Sequence, residues 1–138
     1  MTRREIREEI FKLLFEYELI DNDIEKRINE TIAEKNLKRD EEIDFLRSYI
    51  TEIIENKDIL TDRIRQVLDG WTYERLGTIE KVLLKISFYE ITIKDIGYEI
   101  AINEVLEIAK KYSYNDTKDF LNGILAKLVQ NIKDEKQK

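Results

Sequence analysis

The chain has no cysteine, no histidine and no proline, and only four glycines and one tryptophan among its 138 residues. Without cysteine no disulfide framework can form, which is compatible with a reducing cytosol. Without histidine or cysteine there is neither an imidazole-assisted nucleophile nor the usual zinc ligand set. No glycine-rich phosphate loop is present. The carboxylate pairs Glu8-Glu9, Glu41-Glu42 and Asp134-Glu135 fall where helix faces or termini are expected, with no cleft to tune their pKa values. Together these absences argue against an enzyme, a metal site or a cofactor. A membrane span of about 18 consecutive apolar residues is also missing. The charged N-terminus does not read as a signal peptide, so a cytoplasmic protein is expected.

What remains is a helical composition. Breakers are few, Glu, Lys, Ile and Leu are abundant, and 42% apolar residues offset the 39% that are charged, which argues against disorder. The length and the lack of any spacer predict one domain, residues 1–138, with a core of its own. The net charge of −6 disfavours nonspecific nucleic-acid binding over a broadly basic surface, so any such site must be a local patch.

Periodicity and capping signals predict about seven helices in a bundle-like, all-α arrangement. Thr2 and Glu5 form a capping box for the first helix, whose inward stripe is Ile6, Ile10, Leu13, Leu14 and Tyr17, with Glu5, Glu8, Glu9, Lys12 and Glu16 opposite. Ile24, Ile28 and Ile32 mark a second helix closed by Asn36, and Ile43, Leu46, Ile50, Ile53 and Ile54 a third. A fourth is expected at 59–68, a fifth from Thr78, and an apolar-faced helix at 98–112 with the width of a central element. Asp116 is placed to cap a last helix from Thr117 to about Lys133, leaving 134–138 as a frayed tail. Gly123 inside that helix costs about 1 kcal/mol relative to Ala, and close helix contact is the expected compensation.

Four sets of residues carry candidate chemistry. Arg3, Arg4 and Arg7 place three cations in the first two turns of a helix, against its dipole, where acids would be more natural. Either Glu5, Glu8 and Glu9 pair with them and nothing binds, or their planar forks meet RNA phosphates and guanine edges. Asp116, Thr117, Lys118 and Phe120 are either a capping turn with a buried ring, or a corner where Phe120 stacks an unstacked base while Asp116 and Lys118 meet base edges or phosphate. Glu74, Arg75, Glu80 and Glu90 form a polar strip beside and along an otherwise apolar helix, which reads by itself as a solvated face. Asn103 and Glu104 read as structural more than binding.

Several segments in order carry a resemblance: the arginine-bearing start TRREIREEIFKLLFEYEL, Trp71 with Arg75-Leu76, GTIEKVLLKISFYEI at 77–91, and AINEVLEIAKKY followed by DTKDFLNGIL. Together they resemble the bacterial transcription antitermination factors of the NusB family, over essentially the whole chain. The resemblance implies a single helical domain of two bundle-like halves around a central helix. It implies binding of boxA-type single-stranded RNA of nascent ribosomal RNA transcripts, in a heterodimer with the small-subunit ribosomal protein NusE, within a larger complex of other Nus factors and RNA polymerase. It assigns Arg3, Arg4, Arg7, Asp116, Thr117, Lys118 and Phe120 to RNA, and Glu74, Arg75 and Glu80 to the protein partner. Three positions depart from the family pattern: Glu9 stands for Ala, Gly97 for Pro, and Asp119 for Lys. The alternative is a helical adaptor or homodimer with no RNA contact of its own.

Overall fold

The computed structural model describes residues 1–137, which form seven α-helices and one 3₁₀ turn, with no strand among them. Their contacts divide into two compact units, residues 1–56 and the described residues from 57 onward.

The first unit contains α1 (Arg3–Leu19), α2 (Ile24–Glu34) and α3 (Asp40–Glu55), each packed against the other two. The capping box forms as read: the Glu5 N–H donates to Thr2 Oγ1 at 3.1 Å and the Thr2 N–H donates to Glu5 Oε1 at 2.8 Å. Those bonds, the backbone one first, hold the Glu5 carboxyl below its ordinary value. Asp23 caps α2 through the Lys26 N–H at 3.2 Å. Asn36, at φ 53°, ends α2 in the left-handed region that Asn tolerates. The core is built from Ile6, Ile10, Phe11, Leu13 and Leu14 of α1, Ile28 of α2, and Leu46, Tyr49, Ile50 and Ile53 of α3. Arg27 of α2 joins it to α1, donating from Nε and Nη2 to Glu16 at 2.9 and 3.0 Å. Glu9 corrects the helical projection, which put it on the exposed back of α1. It is only 9% exposed, and its Oε1 meets the ammonium groups of Lys12 and of Lys35 beyond α2, each at 3.3 Å.

The second unit contains α4 (Lys57–Val67), a 3₁₀ turn (Tyr73–Arg75), α5 (Thr78–Thr92), α6 (Tyr98–Tyr112) and α7 (Asn115–Lys136). Here the enclosed helix is α5, which packs on α4, α6 and α7. It buries Val82, Leu83, Leu84, Ile86, Ser87, Phe88, Tyr89, Glu90 and Ile91, residues that together ring its axis. The Ser87 hydroxyl is satisfied within the helix by the carbonyls of Leu83 and Leu84, at 2.9 and 3.1 Å. By contrast α6 buries one face, Ala101, Val105, Ile108 and Ala109, against α5 and α7. Gly97 precedes it at φ 96°, a conformation open to glycine and closed to the proline of the family pattern.

Three expectations about α7 need correction. Its N-cap is Tyr114, with no side-chain capping bond, and Asp116 sits one residue inside the helix. There the carboxylate acts on the helix dipole instead of capping an N–H. The helix also continues through 134–136: Gln130 donates to Asp134 at 2.9 Å, and Lys133 and Lys136 suit the carboxyl end of the dipole. Finally, Gly123 makes no close approach, because a Cβ there would meet nothing within 4 Å. Gly123→Ala is therefore expected to raise unfolding stability by about 0.5–1 kcal/mol, by restricting the unfolded chain. Urea denaturation of the two proteins measures it, and a loss of stability would show that the position is constrained after all. No helix among the described residues is long and apolar enough to cross a membrane.

Candidate nucleic-acid interface

Arg3 and Arg7 stand one turn apart on α1, on the side that meets α3. Their guanidinium carbons lie 4.3 and 5.4 Å from the centroid of the Phe45 ring. Arg3 Nη1 also donates to the Glu41 carbonyl at 3.4 Å, and the Met1 ammonium donates to Glu42 at 2.7 Å. The acidic first turn of α3, Asp40 to Glu42, thus adds negative charge beside the cations at the start of α1, where Glu5 is the one acid of the first turn. That answers the puzzle of cations at a helix N-terminus. Of the acids expected to neutralise the arginines along their own helix, Glu5 is tied to Thr2, and Glu9 to Lys12 and Lys35.

The three arginines are not equivalent. Arg3 and Arg4 are exposed, whereas Arg7 is only 8% exposed. Phe45 was not singled out in the sequence, where it reads as an off-stripe residue of α3. Its only signal is an aromatic one position ahead of the buried Leu46, which turns it toward the edge of the core. It is half-buried, and its ring lies 4.2 Å from that of the buried Tyr49.

In the second unit Asp116, Thr117 and Phe120 line a groove of about 280 Å³ whose other walls are Trp71, Arg75, Leu76, Gly77 and Glu80. Trp71 meets Phe120 edge-on, with ring centroids 5.4 Å apart at 67°, and is 56% exposed. An exposed indole beside a half-buried phenyl makes Trp71 the more accessible stacking surface of the pair. In the sequence this tryptophan contributes to the family resemblance but is given no place in a site. Lys118 is half-buried and is not among the groove's lining residues, whereas Tyr114 at the start of α7 is 86% exposed.

The polar strip expected on α5 divides. Glu74 pairs with Arg65 Nη2 at 2.5 Å, and this bond is the main cause holding the Glu74 carboxyl below its ordinary range. Glu80 folds back over the start of α5, where a side chain at Gly77 would collide with its carboxylate. Glu90 is fully buried, so it leaves the candidate surface altogether. Arg75 and Glu80 share one groove with Asp116 and Phe120, although the sequence treated them as separate sets. Asn103 is exposed and Glu104 half-buried. Among the described residues no group of carboxylates is arranged to hold a metal ion.

Comparison with known proteins is consistent throughout. The model of the NusB family matches residues 4–130. Transcription antitermination protein NusB of a Nitratiruptor species is 31% identical over 137 residues, covering 99% of this chain and 98% of that protein. Among solved structures, T. maritima NusB superposes with a TM-score of 0.80 at 32% identity, over 94% of this chain and 92% of that one. A chain from the structure of antitermination factors NusB and NusE in complex with dsRNA gives a TM-score of 0.83 at 20% identity, over 94% and 96%, which is a likeness of fold. With a family match spanning almost all the helices described above, and a relative above 30% identity over nearly its full length, the chain belongs to the NusB family.

Proposed function

We propose that this protein is a transcription antitermination factor. It binds boxA-type single-stranded RNA of nascent ribosomal RNA transcripts as a heterodimer with ribosomal protein NusE, and works with other Nus factors and RNA polymerase in the cytoplasm. The observation that carries the reading is the exposed Arg3-Arg4 pair, with Arg3 resting on Phe45, in a family member whose net charge is −6. A local cationic site on an acidic protein selects phosphates at one place instead of everywhere. Arg3 and Arg4 meet the RNA directly, while Arg7, being buried, supports them. In the second unit, Phe120 with Asp116, Thr117 and Lys118 serves an unstacked base, and Trp71 widens that stacking surface. Glu74, Arg75 and Glu80 face the basic ribosomal partner, where opposite charge speeds encounter.

Fluorescence anisotropy with labelled boxA-type RNA, single-stranded and duplex, with and without NusE, tests the reading. Expected are modest affinity alone, a marked gain with NusE, preference for the single strand, and affinity that falls with salt. No binding under either condition, or binding insensitive to salt, would overturn it in favour of a protein-only adaptor.

A further inference from the structure

We infer that Phe45 of α3 is a positioning residue for the RNA interface: its ring holds the Arg3 and Arg7 guanidiniums and so preorganises the cationic end of α1. The inference rests on the RNA reading above and adds to it a residue that carries no charge.

The geometry is specific. Arg3 at 4.3 Å and Arg7 at 5.4 Å are both within the range at which an aromatic face attracts a cation, and a planar guanidinium also stacks on it. The ring itself is not loose. It packs at 4.2 Å on Tyr49, which is 1% exposed and belongs to the core of the first unit. The chain of contacts therefore runs from the core, through Tyr49 and Phe45, to Arg3 at the surface. A second anchor, the Arg3 bond to the Glu41 carbonyl, comes from the same helix.

An exposed arginine on a free stem must be immobilised when it binds phosphate, and that loss of rotamer freedom opposes binding. Resting on Phe45, Arg3 has met much of that cost before the RNA arrives. Removing the ring while keeping every cation should thus weaken affinity but leave the number of phosphate contacts, and hence the salt dependence, unchanged. Removing an arginine should change both. A defect that came only from unfolding would follow stability instead.

The test compares Phe45→Leu, Phe45→Tyr and Arg3→Ala/Arg4→Ala in the full chain. Anisotropy with boxA-type single-stranded RNA is read across a salt series, and urea denaturation alongside. Phe45→Leu is expected to bind about fivefold more weakly, the order of one surface cation–π contact, with the slope of log affinity against log salt unchanged. Phe45→Tyr, which keeps the ring, should restore binding. The NMR signals of the Arg3 side chain should show the upfield ring-current shift of a group over an aromatic face in the wild type, and lose it in Phe45→Leu. Wild-type affinity for Phe45→Leu overturns the inference, as does a wild-type Arg3 with no ring-current shift, a result that stands even if the leucine variant folds poorly. If Arg3→Ala/Arg4→Ala itself binds normally, the RNA reading of α1 fails and this inference falls with it.

Discussion

Replacing Arg3 and Arg4 together by alanine is expected to weaken binding of boxA-type RNA by about 100-fold, taking roughly 1.5 kcal/mol, the lower end for a charge-assisted hydrogen bond, for each exposed arginine. The salt slope should flatten by about 1.4, since each phosphate contact on a single strand contributes roughly 0.7. Stability should change by no more than about 1 kcal/mol, because both residues are exposed, the capping bonds of Thr2 and Glu5 do not involve them, and Arg3 gives up only its surface contacts with Phe45 and Glu41. Arg7→Ala is a poorer probe. With 8% of the residue exposed and its guanidinium 5.4 Å from Phe45, it would disturb packing as well as charge. Unchanged affinity and slope in the double variant would remove α1 from the RNA interface.

Phe88→Ala is expected to destabilise the protein by about 3–5 kcal/mol, the range for deleting a buried ring. Phe88 is 0% exposed on α5, the helix its own unit surrounds with α4, α6 and α7. Walls supplied by three helices cannot all collapse into the space the ring vacates, so the cavity term is kept. The midpoint in urea should fall while the slope of the transition stays the same. A loss below about 1 kcal/mol would mean that this part of the unit repacks freely.

The residues read correctly and incorrectly from the sequence differ in kind. The Thr2-Glu5 box, the Asn36 stop and the stripe from Ile6 to Leu14 all formed as expected. Each depends on neighbours within about one helical turn, a range over which local chemistry decides. Glu9, Glu90 and Gly123 went the other way. A helical projection places Glu9 opposite the core but cannot know that Lys35, beyond the next helix, will close over it. Glu90 lies on a strip that looks solvated, yet α5 is buried on every side there. Gly123 suggested a close approach, yet nothing approaches. Asp116 missed the cap by two positions because α7 begins at Asn115, after the exposed Tyr114.

The candidate sites divide along the same line. That arginines at the start of α1 could serve RNA was legible, since residue type and helix position are local. That Arg7 would be buried, that Phe45 would lie under Arg3, and that Trp71 would share a groove with Arg75, Glu80 and Phe120 was not. Those outcomes depend on which side chains from distant parts of a unit meet.

By itself, the sequence determined the helical class, the number and order of the helices, the net charge and, through the order of its segments, the family. These follow from propensity, capping and periodicity, which act within a helix. Only the tertiary structure decided which helix is enclosed, which carboxylates leave the surface, and which arginine remains exposed on an aromatic support. Burial is a property of packed neighbours, and no residue carries its neighbours in its own chemistry.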